Sequence, residues 1–303
     1  MKLENWFSFY SEGFRACNER NARLLVLALK RVSCLSLILF FPFLSVPLPS
    51  SLAVYALDGY RRGKDISGSN NPTASLIGTG TAPGPDGRRD GSIKFYGRRN
   101  SYVRITNSGR LDAQFSITII VWMFHDGVNG PFVHYNPQGL GVELAMTGRR
   151  EIVARFVKRS SSYSIPLKSR QIKYRAWNYV ATTFEQRTGL AKLYIDSRQV
   201  AYKKIGRMRL ATNYPLRLGA REGDRRYFRG RLFCLQIYSK PLTGRQIEAA
   251  KRKCLLPIPS PTAPTPTRVP PAPPPRGKKC VLGHFLYYQF NFFTPILFYC
   301  SVD

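Results

Sequence analysis

The residues of this chain that could do chemistry are its carboxylates, histidines, cysteines and arginines, and their spacing narrows what that chemistry is. Retaining hydrolysis of a glycosidic bond needs two carboxyl groups ~5 Å apart, commonly at alternate positions of one strand. No Glu-x-Asp-x-x-Glu run occurs; Glu143 and Glu151 each stand between apolar and basic residues, and Glu222-Gly-Asp224 falls in a loop. His125-Asp126 has the form of a base and its orienter, but no Gly-x-Ser-x-Gly elbow accompanies it, so it reads as a turn after a long strand. Gly78-Thr-Gly80 lacks the third glycine of a dinucleotide fingerprint, and no Gly-Lys-Ser/Thr follows it. The six cysteines, at positions 17, 34, 234, 254, 280 and 300, form no C-x-x-C pair, which argues for structural pairing over zinc. These patterns point away from catalysis and towards binding.

Basic residues are the strongest carriers of a binding function. The chain has 47 Lys and Arg against 17 Asp and Glu, a formal charge of +30. Arg149, Arg150, Arg155, Lys158, Arg159, Lys168, Arg170, Lys173 and Arg175 crowd one meander, and Arg225, Arg226, Arg229 and Arg231 crowd another. Guanidinium forks pair bidentately with sulfate, carboxylate or phosphate, and a field of this sign draws in polyanions. The alternative reading is solvated strand faces, where Lys and Arg discourage edge pairing. Nucleic acid competes on charge alone, but no recognition helix, zinc finger or RNP-type strand is visible, and none is expected as a partner.

The elements that must position these groups are strands. From Trp177 to Tyr238 five β-rich runs, WNYVATTF, LAKLYID, RQVAYKKI, PLRLG and RLFCLQIY, are separated by turn residues. In the first, Tyr179, Ala181 and Thr183 alternate with Val180, Thr182 and Phe184, predicting one buried and one wet face. Further strands are expected at 52–57, 92–96, 102–105, 115–124, 132–135, 142–146, 152–157 and 163–167. FSITIIVWMF at 115–124 is apolar on both faces and suits a central strand. Asp58-Gly59, Asp65-Ile66-Ser67-Gly68 and the stretch from Gly78 to Gly91 read as loop chemistry rich in Gly, Pro, Asn and Asp. Thr243-Gly-Arg-Gln246 has the spacing of a capping box and predicts a helix to about Lys253. About a dozen short strands and one short C-terminal helix predict an all-β, antiparallel two-sheet sandwich.

The order W-x-Y-V-A, L-Y-I-D, L-G, a loop, G-x-L-x-x-L-Q-I-Y and P-L-T-x-x-Q-I resembles the laminin-G-like and pentraxin-like group of concanavalin A-type jelly rolls. The matching positions include Trp177, Tyr179, Leu193, Asp196, Gly219, Gly230, Tyr238 and Ile247, and the resemblance spans about Ser51 to Cys254. It departs at Ser197, where the family's hairpin has glycine, so a looser turn is expected. Trp177 matches a normally buried position and is expected to be structural. Cys234 falls in the last strand and Cys254 just past the helix, so a bond between them would tie helix to sheet. The resemblance implies the same pair, which persists only in an oxidising compartment.

What else the resemblance implies concerns ligands. Pentraxin relatives place acidic and amide oxygens on rim loops, which makes Glu222, Asp224, Asn136 and Gln138 candidate calcium ligands, with Arg221, Arg225 and Arg226 placed to neutralise the acids. Laminin-G domains often bind sulfated glycans, which points to the basic surface, Arg149, Arg150, Lys158, Arg159, Arg225, Arg226 and Arg229. The expectation is a non-enzymatic binding or adhesion module, extracellular or at the cell surface, for an anionic glycan or a protein ligand. A glycan-cleaving hydrolase and a purely structural matrix component are the alternatives.

Four regions are expected. Residues 1–50 form an N-terminal extension whose apolar run at 32–48, behind Lys30 and Arg31, has the parts of a secretory signal or membrane anchor. Residues 51–254 form the jelly roll. Residues 255–279 are a proline-rich linker, and 280–303 an aromatic, apolar tail that reads either as a minimal membrane segment or as a misplaced gene boundary.

Overall fold

The computed structural model describes residues 46–255, apart from positions 137, 162 and 163. The expectations for the signal or anchor segment, the proline-rich linker and the aromatic tail lie outside the described residues. No helix among the described residues is long and apolar enough to cross a membrane.

Among the described residues fifteen strands and one helix follow in order: β1 (Ala53–Tyr55), β2 (Ser75–Ile77), β3 (Gly80–Ala82), β4 (Ser92–Tyr96), β5 (Tyr102–Ile105), β6 (Ser116–His125), β7 (Gly130–Tyr135), β8 (Glu143–Met146), β9 (Ile152–Val157), β10 (Ser164–Ser169), β11 (Trp177–Glu185), β12 (Leu190–Ile195), β13 (Arg198–Lys204), β14 (Leu216–Leu218), β15 (Arg229–Tyr238) and α1 (Gly244–Ala250). One sheet runs β13-β12-β11-β6-β15-β4-β3, with β1 also on β15; the other runs β10-β9-β8-β7-β14-β5-β2. All pairings of named strands are antiparallel, which confirms the jelly-roll expectation. The two short strands β2 and β3 were not expected. Their segment is dominated by turn residues, and only pairing with β5 and β4 makes it extended.

Period-two alternation builds the core. Ile117, Ile119, Val121 and Met123 of β6 and Val180 and Phe184 of β11 point inward against Phe132, Tyr135, Leu144, Phe156, Leu216 and Leu218 of the facing sheet. The wet face expected on β11 is not wet. Tyr179 and Ala181 are buried with Ile120, Tyr194 and Tyr238 under Leu242, Ile247 and Ala250, because α1 and the turn before it lie across that side of the sheet. Thr243 caps α1 as expected, its side chain accepting from the Gln246 amide while the Gln246 side chain accepts from the Thr243 amide at 3.0 Å.

Cys234 and Cys254 are bonded, with Cα atoms 5.7 Å apart, inside a small cluster with Val54 and Phe233. Trp177 packs on this cluster and edge-on to Phe124 at 5.7 Å, but it is half-buried, not enclosed, because it sits at the end of β11 where the helix no longer covers the sheet. The turn at Ser197 is not loose either. Asp196 and Ser197 take φ of 49° and 64°, the conformation of a two-residue hairpin, and the Ser197 hydroxyl donates to Glu248 at 2.6 Å.

Candidate functional site

Two surfaces gather the groups singled out above. The first is at the end of the sandwich where β6 leaves for β7 and the 147–151 hairpin joins β8 to β9. His125, the last residue of β6, is buried, and its ring nitrogens face the carbonyls of Arg149 at 3.2 Å and Val128 at 3.3 Å, anchoring the hairpin. Burial pushes this imidazole below its usual value, against the upward pull of those two carbonyls and Asp126. Gly127, at φ +95°, lets the backbone pass beneath the Tyr174 hydroxyl, which a Cβ would approach to 3.1 Å. The Tyr174 ring carries two guanidinium groups, Arg149 at 5.1 Å and Arg175 at 5.4 Å from its centroid. Asp126 is shared between Arg175 at 3.5 Å and Arg229 at 3.4 Å, and Glu151 pairs with Arg170 at 3.0 Å. Arg149 and Arg150 make no ion pair among the described residues.

The predicted basic surface therefore divides. Arg149, Arg150 and Arg229 meet at this rim. Lys158 and Arg159 follow the other end of β9, roughly 20 Å away by strand rise. Arg159 is also committed to structure, paired with Asp112 and donating to the Leu210 carbonyl at 3.2 Å. Sequence proximity misled here because a strand separates its two flanking loops by its own length. Arg226 is held by Asp224 through two bonds, at 3.0 and 2.6 Å, while Arg225 is exposed.

The second surface is the outer face of the second sheet. One register row crosses all seven of its strands, Ser75, Arg104, Arg217, His134, Glu143, Arg155 and Pro166, each the partner of the next. His134 and Glu143 are buried and lie 3.0 Å apart through Nδ1 and Oε2. The His134 Nε2 faces the carbonyls of Asn136 at 2.9 Å and Gly139 at 3.0 Å, so the ring holds the loop after β7. Burial pushes the Glu143 carboxyl up, but His134, together with Arg155 and Arg226, holds it below its ordinary value. Beside this pair opens a pocket of ≈ 290 Å³.

Three of the four candidate calcium ligands, Asn136, Gln138 and Glu222, line this pocket; Asp224 does not. Glu222 is paired with Arg217 at 2.8 Å. Among the described residues no group of three or more His, Cys, Asp or Glu is placed to hold a metal ion. Tyr102, Arg104, Tyr214, Pro215 and Arg217 complete the lining and were not singled out from the sequence. The signal for Tyr102, Arg104 and Arg217 is alternation, Y-V-R-I in β5 and L-R-L in β14, which puts polar side chains on the face away from the core.

Solved structures share this fold. The binding domain of Paraclostridial Mosquitocidal Protein 1 aligns with a TM-score of 0.55 at 17% identity over 66% of this chain and 51% of that one. The binding domain of botulinum neurotoxin serotype D aligns at 0.55 and 14%, over 68% and 51%. The ligand-binding domain of the same serotype in complex with N-acetylneuraminic acid aligns at 0.52 and 14%, over 68% and 52%. The chain thus spans about half the length of these structures. No curated protein matches it significantly. Residues 97–248, half of the chain, match the laminin-G model of the concanavalin A-like lectin/glucanases superfamily, and the chain belongs to that family.

Proposed function

We propose that this protein is a non-enzymatic carbohydrate-binding module that recognises an anionic, sulfated glycan outside the cell or at its surface. The observation that carries the reading is the rim around Tyr174, where Arg149, Arg150, Arg170, Arg175 and Arg229 gather around the two carboxylates Asp126 and Glu151. Arginines stacked on a ring are held in place yet keep their outward N–H groups for bidentate contact with sulfate. The similar solved structures are described as binding domains, one of them bound to an acidic sugar, and this supports a binding role over hydrolysis. The buried disulfide supports an oxidising compartment.

Heparin-affinity chromatography tests the reading. Wild type is expected to elute well above physiological ionic strength, where the Debye length is already only ~8 Å, and R149Q/R150Q/R229Q is expected to elute markedly earlier. All three side chains are exposed, so each change should move stability by less than ~0.5 kcal/mol. Wild type eluting near physiological salt, or the triple variant eluting with wild type, would overturn the reading.

A further inference from the structure

We infer that the pocket on the outer face of the second sheet is a distinct site for one acidic sugar ring, whose carboxylate is clamped by Arg104 and Arg217. Arg217 is unusual for an outward strand position: its side chain is 8% exposed, and its guanidinium lies over the Tyr102 ring at 3.5 Å. Its one hydrogen bond among the described residues goes to Glu222 at 2.8 Å, and its buried Nε has no acceptor there. A guanidinium has five N–H donors, so this group is far from satisfied.

Arg104 is the direct cross-strand partner of Arg217, is exposed, and makes no ion pair among the described residues. Like charges facing each other across a ladder repel. Glu222 already offsets part of the Arg217 charge, and the next neighbour, His134, is committed to Glu143 and to the loop after β7, so Arg104 is the guanidinium left without a counter-charge among the described residues. A single planar carboxylate spanning the two guanidiniums would offset the repulsion and use the fork geometry of both.

The remaining lining fits a polyhydroxylated ring better than a bare ion. The Asn136 and Gln138 amides and the Tyr214 phenol can each donate to and accept from hydroxyls. At ≈ 290 Å³ the pocket is at the lower edge of the ~300–1,000 Å³ typical of small-molecule sites, which suits one ring and not a chain. The site rests on the glycan reading only for the choice of a sugar as carrier of the carboxylate; its residues are separate from the Tyr174 rim.

Calorimetric titration with sodium glucuronate and with the methyl glycoside of N-acetylneuraminic acid, against glucose and inorganic sulfate, tests the inference. At least one acidic sugar should bind saturably at millimolar concentration and about tenfold tighter than glucose or sulfate. Arg104→Gln, an exposed change that leaves the fold intact, should weaken that binding about tenfold while heparin elution stays near wild type. Arg217→Lys keeps the charge but not the fork and should lose a similar factor, with a thermal melt to confirm folding. Equal binding of acidic and neutral sugars, equal competition by sulfate, no saturation by about 10 mM, or an Arg104→Gln affinity equal to wild type would each overturn it. Failure of the rim reading would show separately, as loss of heparin retention.

Discussion

Removing the bond between Cys234 and Cys254 tests how the end of the domain is held to the sheet, and the structure sets the magnitude. The bond joins residues 20 apart, for which loop closure removes about 3 kcal/mol of entropy from the unfolded chain. Both cysteines are fully buried beside Val54 and Phe233, and Cys234 Sγ also accepts from the buried Gln236 Nε2 at 3.2 Å, so alanine there removes one weak acceptor besides the bond while Gln236 keeps its contact to the Ala250 carbonyl. In a domain of this size each kcal/mol moves Tm by roughly 2–4 °C, so C234A/C254A should melt about 6–12 °C below wild type. A second effect is separable. Cys234 has φ +54°, a conformation that costs a residue with a Cβ ~1–2 kcal/mol and glycine almost nothing. C234G/C254A, which also lacks the bond, should therefore melt a few degrees above C234A/C254A, recovering about 1 kcal/mol. Scanning calorimetry on the three proteins, with intact mass confirming the oxidised wild type, provides the readout. A double alanine variant melting within about 2 °C of wild type would refute the closure argument. A glycine variant melting below the alanine variant would refute the strain argument.

Ser197→Gly should stabilise the protein by about 0.5–1 kcal/mol, because glycine relieves the φ of 64° at the second turn position at the cost of one exposed hydrogen bond to Glu248. A lower urea midpoint for the variant would show that the Glu248 contact outweighs the backbone. Glu143 sets part of the acid limb of stability: its folded value lies below the ordinary 4.5, so its contribution is present above that pH and fades as pH falls through the folded value. Tm should therefore drop more steeply below about pH 4.5 in wild type than in Glu143→Gln, and parallel profiles would contradict the pairing with His134.

How much of this was legible beforehand depended on the range of the interaction. The long strands β6, β11, β12 and β15 announce themselves through alternation or continuous apolar runs, and the Thr243 cap through two side chains three residues apart, all local signals. The short strands β2 and β3 carry no such signal, since their extension comes from partners and not from composition. The burial of Tyr179 and Ala181 also lay beyond reach, because alternation reports which residues share a face but not what covers it.

The candidate surfaces show the same boundary more sharply. Acidic and amide residues in loops drew attention to Asn136, Gln138 and Glu222, and those loops do reach the pocket. What sits beneath them is set by register. Arg104 faces Arg217 only because β14 is inserted between β5 and β7, and His134 faces Glu143 only because the β7–β8 hairpin closes where it does. A shift of one residue in either pairing would turn these side chains into the core. The consequence is mechanical as well as interpretive. Arg104 and Arg217 are carried on laddered strands and His134 braces the loop above them, so the pocket's charged floor is held more rigidly than its amide rim. A ligand that engages the floor meets one guanidinium, that of Arg217, already held by Tyr102 and Glu222, and what it must still order on binding is the exposed Arg104 side chain and the loop side chains.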